Sequence, residues 1–143
     1  MHIITFDLLE THILSKPEIY NNNQPLKKDA WEINAEFGIG YNYFKDVIQQ
    51  LEITIHRRKE NKVAYLNTVT TFKLLLEDSE LMPTTKEDFE FHNFFMQIGL
   101  AHNRMIFRYE MKNTIFSNDW LPIESNEKLM ERTKQALKNS LFK

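Results

Sequence analysis

The feature that most restricts the fold of this chain is a long segment with helical periodicity that is apolar on two opposite sides. Residues 89–111 read FEFHNFFMQIGLAHNRMIFRYEM and contain five Phe. At about 100° per residue, two apolar sides separate on the helix. One side holds Phe91, Phe94, Phe95, Ile98, Ala101, Met105, Ile106 and Tyr109, and the other holds Phe89, Met96, Leu100, Phe107 and Met111. Such a helix needs two covers, because an exposed stripe of Phe, Met and Leu would be a large apolar surface patch.

We expect the chain's own sheet to cover one side and a second copy of the chain to cover the other. The side that contains Phe95 and Met105 is predicted to face the sheet, with His102 hydrogen-bonded there, as buried polar groups must be. Gly99 costs about 1 kcal/mol relative to alanine inside a helix, and this cost is understandable where a neighbouring backbone passes close. The predicted interface between copies consists of Phe89, Met96, Gly99, Leu100, Phe107 and Met111.

The first half of the chain has the period of β-strands. In WEINAEFGIGYNY, residues 31–43, apolar and polar side chains alternate as in a half-buried strand. A turn at 44–46 leads to the strand VIQQLEITIHRR, the charged hairpin tip RRKENK and the returning strand KVAYLNTVTTFKLLLE. The stretch HIITFDLLETHIL is a weaker strand near the start. Residues 16–29, with two Pro and three Asn, are expected to form an extended crossover loop.

The second half of the chain changes to helical period. Residues 83–88 look like a helix start, with Thr84 or Thr85 as the cap and Glu87 and Asp88 near the positive end of the helix dipole. A helix is therefore predicted to run from there to about Ser117. A linker with Trp120 and Pro122 precedes the last helix, NEKLMERTKQALKNSLFK, which has one apolar stripe. The chain is therefore predicted to be a single α+β domain over 1–143. Its four-stranded antiparallel sheet is followed by a long two-faced helix and a shorter C-terminal amphipathic helix.

The composition argues against several classes of function. With 18 basic and 20 acidic residues the net charge is -2, whereas general nucleic-acid binding needs a basic face. The absence of Cys excludes disulfides and thiolate metal sites, and it makes a cytoplasmic location the default. The N-terminal residues lack the pattern of a signal peptide, and no apolar run reaches the roughly 18 residues of a membrane span. We expect no membrane insertion.

No catalytic or metal-binding signature is present. His92 and His102 are ten residues apart, which is not the i, i+4 spacing of a metal-binding pair. Arg104 and Arg108 have that spacing and could hold a phosphate or carboxylate, although a charged edge is the more ordinary interpretation. The chain has no GxSxG, GxGxxG, Walker or HExxH motif. We therefore expect no catalytic residue, no metal site and no cofactor, and we expect that the protein is not an enzyme.

The order of these elements resembles the SecB export-chaperone family. The likeness covers most of the chain, from the ragged first strand and Pro-containing crossover loop to the final amphipathic helix. The most local likeness is IGLAHNRMIFRYEMKNTI, because the family tends to have a Gly early in this helix and an apolar–Phe–x–Tyr segment about seven residues on. Here these are Gly99 and residues 106–109. The chain departs from the family at Asn103 and Arg108, where Pro is frequent, and in its nearly neutral charge.

The resemblance implies an ATP-independent holdase-type chaperone that assembles as a homotetramer, a dimer of dimers. Family members bind unfolded or exported polypeptides in an apolar groove and pass them to the export motor ATPase, which would dock here at Glu32, Glu36 and Glu52. The groove would lie between the crossover loop, the adjoining strand and the last helix. The implied peptide-binding residues are Ile19, Tyr20, Leu26, Trp31, Trp120, Leu121, Leu129, Met130 and Leu137, of which Trp31, Leu129 and Leu137 could equally be core.

Two alternatives stay open. One is a SecB-like protein dedicated to a single client or toxin, which the near-neutral charge favours. The other is a small-ligand-binding α+β protein that uses His102 and Tyr109 in a pocket under the long helix. An open apolar groove would favour polypeptide binding, whereas an enclosed pocket with convergent polar groups would favour a small ligand.

Overall fold

The described chain is one antiparallel sheet with two helices on one of its faces. The computed structural model describes residues 3–20, 30–38, 41–43, 46–59, 62–76 and 89–138. The elements are β1 (Ile3–Tyr20), β2 (Ala30–Phe37), β3 (Tyr41–Tyr43), β4 (Asp46–Lys59), β5 (Lys62–Leu76), α1 (Phe89–Glu110) and α2 (Asn126–Lys138). The strand order is β1-β5-β4-β2, with the short β3 also paired to β4. The predicted α+β fold is confirmed. Neither helix among the described residues is long and apolar enough to cross a membrane.

The predicted strand over 31–43 is divided into β2 and β3, which pair with successive parts of β4. The chain advances four residues from Phe37 to Tyr41 while the partner strand advances three. One extra residue on one strand is the count of a β-bulge, which bends the strand. The N–H of Gly38 donates to the carbonyl of Gln50 at 2.8 Å, and a Cβ at Gly38 would lie only 2.9 Å from the Gln50 Cβ. A glycine therefore fits where the strand breaks.

β1 is longer than the sequence predicted. It pairs with β5 as far as Tyr20, and its register shifts between Lys16 and Ile19, where Pro17 lies. Proline cannot donate a ladder hydrogen bond, but an edge strand tolerates it at an irregularity. The prediction of a loop over 16–29 is therefore wrong for its first five residues, and residues 21–29 lie outside the described part of the chain.

The core lies between the sheet and the two helices. Alternate side chains of β4 and β5 point to the helices and are buried, because strand side chains alternate between the two faces of a sheet. The buried residues of the core are Phe37, Leu51, Ile53, Ile55, Ala64, Leu66, Phe72, Phe95, Met96, Leu100, Phe107, Met111, Phe116, Leu121, Ala136 and Leu137.

The side of α1 that was predicted to join two copies faces the chain's own sheet. Met96, Phe107 and Met111 are fully buried, and Leu100 is 6% exposed. A Cβ at Gly99 would lie 2.4 Å from Leu51 Cδ2, so the helix backbone approaches β4 closely here. The chain's own sheet therefore covers the side that the sequence assigned to a second copy. The residues predicted for the interface, which lie on this side, are Phe89, which is half-buried against the core, and Met96, Gly99, Leu100, Phe107 and Met111.

The side of α1 that was predicted to cover the sheet does so only in part, since Phe95 is fully buried in the core and Ile98 and Ile106 pack against it. Its other described residues are exposed. Phe94 is 39% exposed, Met105 64% and Tyr109 68%. Ala101 is also exposed. We call these four residues the outer face of α1. The helix does have two apolar sides, and the outer face is the more exposed of the two.

Polar side chains fix the position of α1 on the sheet. Asn103 is buried, its Oδ1 accepts from Thr68 Oγ1 at 2.8 Å, and its Nδ2 donates to the Gly99 carbonyl at 2.7 Å. His102 Nε2 lies 3.1 Å from Thr11 Oγ1 of β1. The predicted hydrogen bond between His102 and the sheet is confirmed. Asn103 joins α1 to β5, while His102 and Glu110 join it to β1, since the Glu110 carboxylate accepts from Ser15 Oγ at 3.1 Å.

Candidate functional site

The segment between the helices is held against α1 by two arginines. Arg104 Nε donates to the carbonyl of Leu121 at 2.8 Å, and Arg108 donates to the carbonyl of Ser117. The guanidinium of Arg108 also lies 4.1 Å from the centroid of the Trp120 ring, a favourable cation–π distance. The two arginines considered as an anion site therefore serve to hold backbone carbonyls and an indole.

An ion-pair cluster fixes the same segment to β4. Asp119 Oδ2 lies 3.0 Å from Arg57 Nε, and its Oδ1 lies 3.3 Å from Lys59 Nζ. Lys59 also donates to the carbonyl of Ile115 at 3.1 Å. The Asp119 and Arg57 side chains are only 12% and 11% exposed, so solvent screens this pair less than an ordinary surface pair. The segment is thus held both by the sheet and by α1.

α2 is anchored at its beginning and along one side. Ser125 Oγ accepts from the Lys128 N–H at 3.2 Å, as an N-cap residue does. Arg132 binds both carboxylate oxygens of Glu124, and its Nη1 donates to the carbonyl of Ile33 at 2.7 Å. One guanidinium therefore joins α2, the segment before it and the edge strand β2.

A groove of about 300 Å³ lies between α1, the end of the connecting segment and the beginning of α2. Of its two charged wall residues, Glu124 is ion-paired with Arg132, and Arg104 donates to the carbonyl of Leu121. Ile123 at the groove is 79% exposed. The groove therefore offers mainly apolar contact to a ligand. It is lined by Gln97, Leu100, Ala101, Arg104, Pro122, Ile123, Glu124, Asn126 and Leu129.

Three of the predicted peptide-binding residues lie where a client could reach them. Leu129 is half-buried and lines the groove. Trp120 on the connecting segment and Met130 on α2 are 49% and 40% exposed. By contrast, Leu121 and Leu137 are 1% and 3% exposed and belong to the core.

The remaining predicted peptide-binding residues do not meet at this groove. Trp31 is half-buried, and its ring lies 5.1 Å from that of Phe107. Ile19 and Tyr20 are residues of β1, at the opposite edge of the sheet from the β2 strand that carries Trp31. Leu26 lies outside the described residues. The structure therefore places Ile19 and Tyr20 at the other edge of the sheet from Trp31.

Sequence reasoning missed four apolar residues of the groove. Leu100 was assigned to an interface and Ala101 to the sheet-facing side of the helix, while Pro122 and Ile123 were not considered as binding residues. A signal was present in Ile123, which is apolar between Pro122 and Glu124 in a linker where nothing periodic would bury it. The groove itself depends on the arginine contacts with the linker, which no local pattern reveals.

The two histidines of α1 lie in different environments. His92, predicted at a polar edge, is fully buried, and its ring packs against that of Phe37 at 4.8 Å. His102 is half-buried at Thr11, and burial lowers the pKa of its imidazole below the ordinary 6.5. Among the described residues there is no group of three or more His, Asp or Glu side chains placed to hold a metal ion. The absence of a metal site stays a prediction.

The outer face of the sheet carries the three carboxylates considered as a motor-docking patch. Glu32 is paired with Arg58 at 3.2 Å, and Glu52 accepts a hydrogen bond from Asn67 at 3.2 Å. Glu36 is exposed and stands opposite Glu52 in the ladder between β2 and β4. The patch is therefore partly neutralised by its neighbours.

The fold is similar to that of a known chaperone structure. No family model and no curated protein matches the sequence. Among solved structures, the chain matches the SecB-like chaperone Rv1957 of Mycobacterium tuberculosis, determined in complex with a ChAD peptide from the Rv1956 HigA1 antitoxin. The TM-score is 0.56 and the identity 12%, and the match covers 86% of this chain and 90% of that one. The likeness establishes a SecB-like fold, as the order of elements in the sequence indicated.

Proposed function

We propose that this protein is a non-enzymatic, ATP-independent chaperone of the SecB kind that holds an extended segment of a client polypeptide. The observation that carries the proposal is the open groove beside Ile123 and Leu129, whose two charged wall residues are both hydrogen-bonded within the chain. Such a groove favours apolar side chains and does not select a small charged ligand. The SecB-like fold supports the same conclusion, since the similar Rv1957 was solved with a peptide bound.

The groove has suitable chemistry for an unfolded segment. An unfolded chain offers apolar side chains together with unpaired backbone groups. The apolar groove residues can take the side chains, while the amides of Gln97 and Asn126 can hydrogen-bond the client backbone. Nearby Met130 and Trp120 are adaptable contacts, because a flexible thioether and a broad ring tolerate many partners. Ordering each client residue costs about 1–2 kcal/mol, so useful affinity requires several contacts at once. Nothing in this scheme uses a nucleotide.

The proposal is tested by removing the exposed apolar contacts of the groove. We expect Pro122→Ser combined with Ile123→Ser to weaken binding of an unfolded model protein and to reduce suppression of its aggregation without ATP. Both positions are exposed, so the fold should survive. The matched control is Leu14→Ser on β1, since Leu14 is also apolar and 55% exposed. Unchanged affinity in the folded groove variant would overturn the assignment.

Service to a dedicated client, rather than general export, is the form of the function we favour. An export motor would need an acidic docking face, but Glu32 and Glu52 are engaged by Arg58 and Asn67. The similar Rv1957 was solved with an antitoxin peptide, which also supports a narrow client range. Titration of the purified protein with an export motor ATPase tests the alternative. Binding that is lost in a Glu32→Gln, Glu36→Gln, Glu52→Gln variant would favour general export in the cytoplasm.

We also propose that the protein assembles, as a homotetramer built from two dimers, through the outer face of α1. Phe94, Met105 and Tyr109 leave an apolar surface that a monomer would expose to water. Ile13 of β1, 45% exposed, adds to it, since it lies between two β1 residues that contact α1. The ligand-binding alternative has less support, because Tyr109 is 68% exposed and His102 is engaged by Thr11.

A further inference from the structure

A strip of basic residues on α2 runs beside the groove. Lys128, Lys134 and Lys138 are exposed. Together with Glu131, Arg132 and Gln135 they line a second depression of about 500 Å³. Among the described residues, no ion pair involves any of these three lysines. The strip therefore presents positive charge that the described part of the chain leaves uncompensated.

The basic strip and the apolar groove are adjoining parts of one surface. Glu124 lines the groove, Arg132 lines the second depression, and the two side chains are bound to each other. Their charges cancel at this shared wall. Beyond it, three lysines stand with two exposed carboxylates, Glu131 and Glu127 of the first turn of α2, which leaves a net positive charge on this side of the helix. A polypeptide that crosses the wall passes from an apolar site to a positively charged one, although the whole chain is slightly acidic at -2.

We propose that the client segment combines an apolar anchor with a neighbouring acidic stretch, the anchor in the groove and the acidic side chains on the lysine strip. This inference rests on the proposed function and specifies the chemistry of the client. Leu129 at the groove and Lys138 at the far end of the strip are separated by roughly 14 Å along the helix axis at 1.5 Å per residue, and at about 100° per residue they lie on opposite sides of α2. A client that leaves the groove therefore bends around the helix, beginning at Lys128, and about four extended residues span the axial distance. The acidic residues should therefore lie within about four positions of the anchor.

The test uses three labelled peptides with the same apolar anchor and a four-residue flank of Glu, Gln or Lys. Fluorescence anisotropy with the full-length protein should give the order Glu, Gln, Lys from tightest to weakest. We expect about a tenfold advantage of the Glu flank over the Gln flank, since each exposed charge pair contributes modestly. The advantage should fall as salt is raised towards about 1 M, where the screening length is only about 3 Å.

Matched variants locate the effect on α2. Lys128→Gln, Lys134→Gln and Lys138→Gln together should remove most of the advantage of the Glu flank and leave the affinity for the Gln flank nearly unchanged. The control removes the same charge elsewhere, by Lys16→Gln, Lys73→Gln and Lys112→Gln on β1, β5 and the end of α1. Both triple variants should remain folded, because lysine and glutamine are similar helix formers and the changed positions are at the surface.

The outcomes separate this inference from the proposed function. If all three peptides bind equally well, the groove binds polypeptides but the lysine strip does not select acidic ones, and only the inference fails. If no peptide binds, both fail. If the α2 triple variant changes the mass of the assembly while peptide affinities stay the same, the strip is a contact between copies and the inference is wrong. An equal loss in the control variant would mean that overall charge, not the strip, produces the preference.

Discussion

The two faces of α1 have similar apolar content and opposite surroundings. On the inner face, Met96 and Phe107 are fully buried against the sheet, whereas Met105 and Tyr109 on the outer face are 64% and 68% exposed. Hydrophobicity alone does not explain this difference, since Phe and Met occur on both faces. The inner face differs in also carrying Gly99. The absence of a side chain there lets the helix backbone approach β4.

The sheet determines which face it accepts. Its inner surface includes the buried hydroxyls of Thr68 and Thr70. A purely hydrocarbon face would leave such groups without partners, at a cost of about 1–3 kcal/mol each. Asn103 accepts from Thr68, and Thr11 donates to Thr70. In a helix that is apolar on both sides, the buried face is therefore selected by two features. These are polar complementarity to the sheet and a glycine at the point of closest approach.

The largest effect should come from charging the outer face. We expect Met105→Glu with Tyr109→Glu to dissociate the assembly into folded monomers, because each charge buried at a dry interface costs several kcal/mol. Analytical ultracentrifugation measures this. The matched control, Gln97→Glu with Asn118→Glu, adds the same charge at exposed polar positions and should leave the mass unchanged. A sedimentation mass near 17.2 kDa for the wild-type protein at micromolar concentration would contradict the proposed assembly.

Truncation of one large side chain on each face should give the next largest difference. Phe107→Ala should lower the free energy of unfolding by about 3–5 kcal/mol, because it leaves a cavity in the core. Met105→Ala should change it by less than about 0.5 kcal/mol in the monomer. Urea denaturation at two protein concentrations distinguishes the faces, since the loss at Phe107 should not depend on concentration. Equal losses in the two variants would contradict the assignment of the inner face.

A smaller effect should follow from removing the amide of the inner face. Asn103→Ala should cost about 1–3 kcal/mol of stability, because the buried Thr68 hydroxyl loses its acceptor. Addition of Thr68→Val should recover part of this loss, since it removes the hydroxyl itself. Gln97→Ala, an amide truncation at an exposed site of the same helix, is the control and should be nearly neutral. If Asn103→Ala is equally neutral, the hydrogen bond does not select the face.

The sheet could be predicted from the sequence because its rules are local. The alternation over 31–43 assigned the correct faces in β2, since Phe37 is buried whereas Glu32 and Glu36 are exposed. The bulge that follows Gly38 was not predicted, although a glycine inside a strand pattern often marks a bulge. The end of β1 was missed because Pro17 suggested a loop, and only the edge position of the strand makes that proline acceptable.

The groove could not be predicted, because long-range polar contacts build it. Arg104 reaches Leu121 across 17 residues, and Arg132 reaches Ile33 across 99. Neither contact leaves a periodic signal in the sequence. The resemblance supplied the order of elements but placed the binding surface beside the crossover loop. Among the predicted peptide-binding residues that the structure describes, only Leu129 lines the groove found between the helices.

The smallest effect concerns His102, at the border between the two faces of α1. Its ring is hydrogen-bonded to Thr11, and burial lowers its pKa below 6.5 in the folded state. The unfolded chain therefore takes up a proton before the folded chain does. The stability linked to neutral His102 should be complete above about pH 6.5. It should be lost as the pH falls through the lower pKa of the folded state.

The test of this pH dependence compares wild type with His102→Gln, which can keep a hydrogen bond to Thr11 without taking up a proton. Urea midpoints measured at about pH 8 and about pH 5 should fall less on acidification in the variant than in wild type, because the variant lacks this titration. The difference should be small, since the ring is only half-buried and water screens its charge. An equal fall in both proteins would show that His102 is as readily protonated in the folded chain as in the unfolded one. The border of the inner face would then be open to water at Thr11.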